Sequence, residues 1–254
     1  MQTYTKSLTI FSQKNKMKTN TITGSLFLTV VTLLITFTTS AQEKKKFEVT
    51  PAADIVSSYV WRGEYDAGAS IQPSLTLKYA GFSLEAWGST DFSTSADEFK
   101  SKEFDITLGY QIKGFEVAVT DYWWSGQGAR YGRYATDHYF EGTVAYNFGE
   151  KLPLTLAWST MFAGGDKDEE GKQYFSSYFE AAYEFDVWGG VTLTPSIGIS
   201  PWTGMYSNGF GFNSISLKAS KDIKITKSFS LPIFTEVIAS PEHDDVFLVL
   251  GISL

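Results

Sequence analysis

From Phe47 onward the chain is a succession of short stretches in which apolar and polar residues alternate with a period of two. No stretch of useful length carries the 3.6-residue period of an amphipathic helix. The clearest is Val246-Phe247-Leu248-Val249-Leu250-Gly251-Ile252-Ser253-Leu254, with large aliphatics at the even positions and Phe, Val, Gly and Ser at the odd ones. Such stretches recur about every 18 residues, a spacing that predicts strands joined by turns. The predicted strands cover 47–62, 69–79, 82–91, 103–112, 115–124, 137–148, 154–163, 174–186, 191–202, 212–222, 229–240 and 246–254. Their connections alternate in kind. Tyr79-Ala80-Gly81-Phe82 and Ile112-Lys113-Gly114-Phe115 have the form of two-residue hairpin turns in which Gly supplies a positive φ, and Val187-Trp188-Gly189-Gly190 is as short. Residues 92–102, 125–136, 164–173 and 203–211 are longer and polar. Short turns at one end and long loops at the other predict an all-β fold, an antiparallel up-and-down transmembrane β-barrel of about 12 strands with its turns facing the periplasm.

The aromatic residues fall at strand ends. Tyr79, Phe82, Tyr110, Phe115, Tyr146, Phe148, Phe185, Trp188 and Phe229 flank the short turns, while Tyr59, Trp61, Trp123, Phe140, Phe162 and Phe175 lie near the long loops. Two such bands are expected at the two boundaries between hydrocarbon and headgroups.

If the apolar set of each strand faces lipid, the other set faces the lumen. Over 103–112 that puts Phe104, Ile106, Leu108, Tyr110 and Ile112 outside and Asp105, Thr107, Gly109 and Gln111 inside; over 69–79, Ile71, Leu75 and Leu77 oppose Gln72, Ser74, Thr76 and Lys78. The same parity turns Glu48, Asp54, Glu85, Asp105, Glu116, Glu141, Glu180, Glu184 and Glu236 inward against Arg62, Lys78 and Lys218. A charge turned instead toward mid-bilayer lipid would cost about 2–4 kcal/mol, which fixes the register. An acidic lumen either fills itself by pairing charges or forms a narrow passage that favours cations over anions. Arg62, at the end of the first strand, is expected at the rim or paired with Glu85, pinning the first loop in preference to contacting a substrate.

Charge and composition narrow the classes. Leu26 to Phe37 is an apolar run preceded by Lys14, Lys16 and Lys18 and followed by Thr39-Ser40-Ala41-Gln42, the pattern of a secretory signal peptide over 1–41 that leaves a single barrel domain over 42–254. The chain carries 21 basic and 28 acidic residues, a formal net charge of −7, and the mature part is more acidic still because four lysines and no acidic residue precede the cleavage site. Such a chain does not seek nucleic acid through net charge. The absence of cysteine excludes disulfides, thiolate metal sites and a lipid-modified N-terminal Cys. No cofactor or metal is expected.

Ser57-Ser58-Tyr59-Val60-Trp61-Arg62-Gly63, then Gln72-Pro73-Ser74 and Trp87-Gly88-Ser89, resembles the opening hairpin of the TorF-like family of porins. The resemblance implies a porin-like outer-membrane barrel and marks Tyr59, Trp61, Arg62, Gly63, Gln72, Pro73, Trp87 and Gly88 as family-typical positions without giving them a chemistry.

An enzyme is not expected. His138 and His243 are the two histidines; His138 is followed by Tyr139 and Phe140 and His243 by Asp244 and Asp245, so neither has the serine two residues on that barrel hydrolases place beside their base. Gly164 to Gly171 is rich in carboxylates but lacks EF-hand spacing, and a solvated loop is the simpler reading. The segment Tyr122 to Tyr134 mixes rings with arginines; Trp124, Arg130, Tyr131 and Arg133 form a composition able to stack on sugars or pair with lipopolysaccharide phosphates. The expected function is an outer-membrane channel for small solutes, with outer-membrane lipid and lipopolysaccharide as its surroundings. The alternative is a closed outer-membrane barrel whose loops serve surface adhesion or interaction.

Overall fold

The computed structural model describes residues 46–92, 102–126 and 128–254. The expected signal segment, and most of loop 92–102, lie outside these residues. The elements are all strands: β1 (Glu48–Val56), β2 (Tyr59–Trp61), β3 (Glu64–Ala67), β4 (Ser70–Tyr79), β5 (Phe82–Asp91), β6 (Lys102–Ile112), β7 (Phe115–Trp124), β8 (His138–Asn147), β9 (Leu154–Gly164), β10 (Ser177–Tyr183), β11 (Phe185–Val187), β12 (Val191–Ser200), β13 (Gly211–Lys224), β14 (Ser230–Ser240) and β15 (Asp245–Ser253).

Each wall strand runs antiparallel to its neighbours. β1 pairs with β4 on one side and with β15 on the other, Asp54 opposite Ser253, so the sheet closes on itself. β10 and β11 both pair with β12 and act as one wall strand. It is interrupted at Glu184, whose N–H donates to the Pro153 carbonyl. Counted this way the wall is a closed barrel of 12 strands, as the alternation predicts.

The turns explain the tight ends. Ala80 and Gly81 sit at φ 57° and 91°, and Lys113 and Gly114 at 48° and 83°. Both central residues are left-handed, which is the geometry whose twist matches a hairpin. The faces follow the parity read from the sequence. Leu108 (57% exposed) and Leu248 (59%) stand on the outside, whereas Gln72, Thr76, Asp105, Glu116 and Glu236 are buried within. Exposed rings gather at both ends of the wall: Tyr79, Phe82, Phe115, Tyr146 and Trp188 by the turns, Phe104, Phe162, Phe175 and Trp202 by the loops.

Two expectations are corrected at the loop end. The first predicted strand, 47–62, is not one element: the wall part ends at Val56, and β2 pairs only with β3 in a separate two-stranded sheet. Tyr59 and Trp61 therefore do not belong to an outer aromatic band; they are buried in a cluster with Trp87, Tyr122, Trp124, Met161, Tyr178 and Tyr206. The segment 203–211 also packs against the interior, because Asn213 Nδ2 donates to the Tyr206 carbonyl (2.7 Å) and the Met205 N–H to Ser176 Oγ (2.7 Å).

Candidate functional site

The β2–β3 turn carries the central side chain of this cluster. Arg62 (φ 53°) and Gly63 (φ 85°) are its left-handed pair. A Cβ on Gly63 would lie 1.9 Å from the Asn213 backbone carbonyl oxygen on β13, so only glycine lets the turn approach the wall this closely. That approach places the Arg62 guanidinium, 2% exposed, against Glu141 on β8, which is fully buried. Nη1 and Nη2 donate to the two carboxylate oxygens at 2.6 and 2.9 Å.

The pair is completed by hydroxyls and rings. Tyr122 donates to Glu141 at 3.1 Å; Tyr206 accepts from Arg62 and donates to Glu141 at 3.3 Å. The guanidinium carbon lies 4.7 Å from the Trp61 ring centroid, 4.6 Å from Tyr178 and 5.0 Å from Tyr206. Burial pushes the Tyr206 hydroxyl above its ordinary range, and the neighbouring guanidinium partly offsets this. A bidentate ion pair whose remaining donors and acceptors are satisfied can stand in a dry interior, where either charge alone could not.

The expected partner of Arg62 is thereby corrected. Glu85 accepts from Thr76 Oγ1 at 2.9 Å, and Arg62 is paired with Glu141. Parity assigns a residue to a face but says nothing of its height or its place around the circumference. Asp105 stands level with the cluster, in register with Trp87 and Tyr122, and the other inward candidates lie on the wall nearer the turn end. Both carboxylate oxygens of Glu180 are buried without a hydrogen-bond partner among the described residues, and so is Glu236 Oε1. Lys218, the register partner of Glu236, holds its ammonium 4.2 Å from the Phe234 ring centroid. Lys78 lines a depression of about 240 Å³ at the turn end with Lys46, Glu48, Gln111 and Glu116. Glu184 is exposed at the break between β10 and β11.

Sequence reasoning missed Glu103, which is buried and accepts from the Tyr59 hydroxyl at 2.6 Å. Its parity with Asp105 was the available signal. Trp124, expected among loop recognition residues, is corrected: it stacks on Tyr122 inside the barrel, centroids 5.4 Å apart with ring planes 4° from parallel. It is the last residue of β7, and the two-residue period carries it inward with Tyr122. Arg130, Tyr131 and Arg133 remain exposed. In the carboxylate-rich loop, Asp166 is buried and accepts from the Ser176 N–H (2.9 Å) and the Ser176 hydroxyl, so it ties the loop to β10.

The arrangement is an acidic interior capped at its loop end by residues that loops, as well as the wall, contribute. Residues 58–176 match the family model described as "Putative MetA-pathway of phenol degradation". That is a family of outer-membrane-like barrel proteins. The matched span opens just before β2 and closes just before β10, so it contains Arg62, Gly63, Glu103 and Glu141 but neither Tyr178 nor Tyr206. No curated protein matches the chain.

Proposed function

We propose that the chain spans the outer membrane as a porin-like barrel, a narrow and gated route for small solutes that prefers cations, without a catalytic role. One observation carries this reading. The closure at the loop end is built on the β2–β3 hairpin and residue Tyr206, which hang on the wall and are not part of it, while the wall beneath is polar and acidic. A closure of that kind can be withdrawn without breaking the ladder that holds the barrel together. Support for the membrane comes from the outward apolar face, bounded at both ends by exposed rings, which has the profile of a bilayer. The TorF-like motifs around Tyr59 to Gly63 point the same way. The matched family's description names a phenol degradation pathway, so a small aromatic solute is the first candidate cargo. Cation preference follows from the excess of inward carboxylates, Glu85, Asp105 and Glu116 among them, over Lys78 and Lys218, since negative potential along a low-dielectric passage concentrates counter-ions.

The completeness of the Arg62–Glu141 closure favours a second reading, a permanently closed barrel that works as a surface-interaction module. Planar-bilayer recording separates the two. The wild type is expected to conduct in rare, brief openings. Gly63→Ala forces a side chain into a backbone carbonyl at a left-handed position, so it is expected to unseat the hairpin and raise the open fraction, while heat-modifiable gel mobility stays that of a folded barrel. If both proteins insert and neither ever conducts, the channel reading is wrong and the closed module stands.

Selectivity supplies a further check. In a salt gradient, Gly63→Ala is expected to show a reversal potential of cation-selective sign. Adding Glu85→Gln and Glu116→Gln is expected to move that potential toward zero, because the amides keep the shape and remove the charge. Anion selectivity before the Gln substitutions would contradict the acidic-passage reading.

A further inference from the structure

One loop turns away from the interior. In the segment 128–137 the Tyr131 ring packs on Phe104 of β6 (centroids 5.8 Å apart) and on Trp123 of β7 (5.7 Å), both on the outward face of the wall. The Tyr134 ring stacks on His138 at 4.1 Å. The segment therefore lies over the outside of the barrel at the level of its loop-end rings.

His138 explains how it is held there. Its Nδ1 is 2.7 Å from Asp121 Oδ1 and its Nε2 is 2.5 Å from the Tyr131 carbonyl oxygen, and the imidazole is fully buried. One ring nitrogen thus ties to β7 through Asp121 and the other to the segment through the Tyr131 carbonyl. The other carboxylate of the segment is also engaged. Asp137 accepts from the Arg130 N–H and the Thr136 hydroxyl, each at 2.7 Å, and lies 3.8 Å from Arg133 Nη1. The Thr136 hydroxyl and the Arg130 N–H hold its carboxyl below the ordinary range. With these carboxylates occupied, the exposed Arg130 guanidinium has no partner among the described residues, and Arg133 is half exposed (52%). A chain of net charge −7 thus presents two of its three arginines, Arg130 and Arg133, on a segment that packs on the outward face of the rim.

We infer that this segment is a docking shelf for the phosphate of an anionic glycolipid in the surrounding leaflet, with Arg130 and Arg133 as the phosphate ligands. The inference rests on the membrane-spanning reading above. A position just beyond the aromatic band is the headgroup layer, and the planar guanidinium fork matches phosphate oxygens two at a time. The rings beneath serve as the mount, which keeps the two arginines at a fixed height.

The test uses the full chain refolded in detergent micelles, with barrel formation checked by heat-modifiable mobility, and binding followed by microscale thermophoresis. The probes are phosphorylated lipopolysaccharide, the same lipopolysaccharide stripped of phosphate, and inorganic phosphate. The wild type is expected to bind the phosphorylated form at least about tenfold more tightly than the stripped form, the scale of one charge-assisted contact. Arg130→Ala with Arg133→Ala is expected to erase that difference while keeping the mobility shift, since both side chains are exposed and dispensable to the fold. Millimolar inorganic phosphate should not compete, which separates a lipid headgroup from a free anion. Equal binding of both lipopolysaccharides by the wild type, an unchanged preference in the double variant, or full competition by inorganic phosphate would overturn the inference. A refolded chain that shows no mobility shift and stays out of micelles would overturn the membrane reading and the inference with it.

Discussion

Arg62→Met is expected to lower the unfolding free energy of the protein in micelles by about 3–5 kcal/mol, the usual consequence of stranding one member of a buried ion pair. The substitution leaves Glu141 fully buried with its charge and, among the described residues, the hydroxyls of Tyr122, Tyr206 and Thr143 to answer it. Glu141→Met alone strands the guanidinium and is expected to cost a similar amount. Combining them should restore much of the loss, because two thioethers of similar bulk replace the pair among rings with which sulfur packs well. Urea titration followed by tryptophan fluorescence reads this directly, since Trp61 and Trp124 line the cluster. The signature is non-additivity, with the double variant more stable than either single. A single-variant loss within about 1 kcal/mol, the range of exposed pairs, would mean the closure does not hold in solution.

The second large effect separates the two faces of β6. Leu108→Arg is expected to destabilise insertion into lipid vesicles by about 2–4 kcal/mol, because a guanidinium on an outward mid-strand position has only hydrocarbon around it. Thr107→Arg, one residue away, is expected to insert. Thr107 faces the interior and shares a hydroxyl contact of 3.0 Å with Thr120, so the new charge enters a polar, acidic lumen with Asp105 and Glu85 on the same face. Vesicle insertion assayed by protease protection across a urea series would measure both. Equal tolerance at the two positions would remove the membrane-facing assignment.

What the chain reveals on inspection, and what it hides, follows from the range of the physics involved. The turns at Ala80-Gly81 and Lys113-Gly114 are legible because left-handed backbone is a local demand that glycine answers. The faces of β4 and β6 are legible because a side-chain period of two needs only neighbouring residues. The closure is not local. Tyr59, Val60 and Trp61 alternate as a wall strand would, and nothing nearby says that they leave the wall at Ser57. Their destination is set by Glu141 and Tyr206, which are 79 and 144 residues from Arg62. The same limit produced the wrong partner in Glu85 and the wrong location for Trp124. The outward turn of 128–137 is equally hidden, since it depends on Tyr131 finding Phe104 and on a histidine whose sequence neighbours speak only to its fitness as a catalytic base.

That separation along the chain imposes an order of events. The hairpin bearing Arg62 and Gly63 lies early in the chain, but the groups that receive it lie on β8, β10 and in the approach to β13. It can seat only once those strands stand in the wall. Assembly runs toward closure with its last piece already in hand, and the internal lock can be set only after the cylinder around it exists.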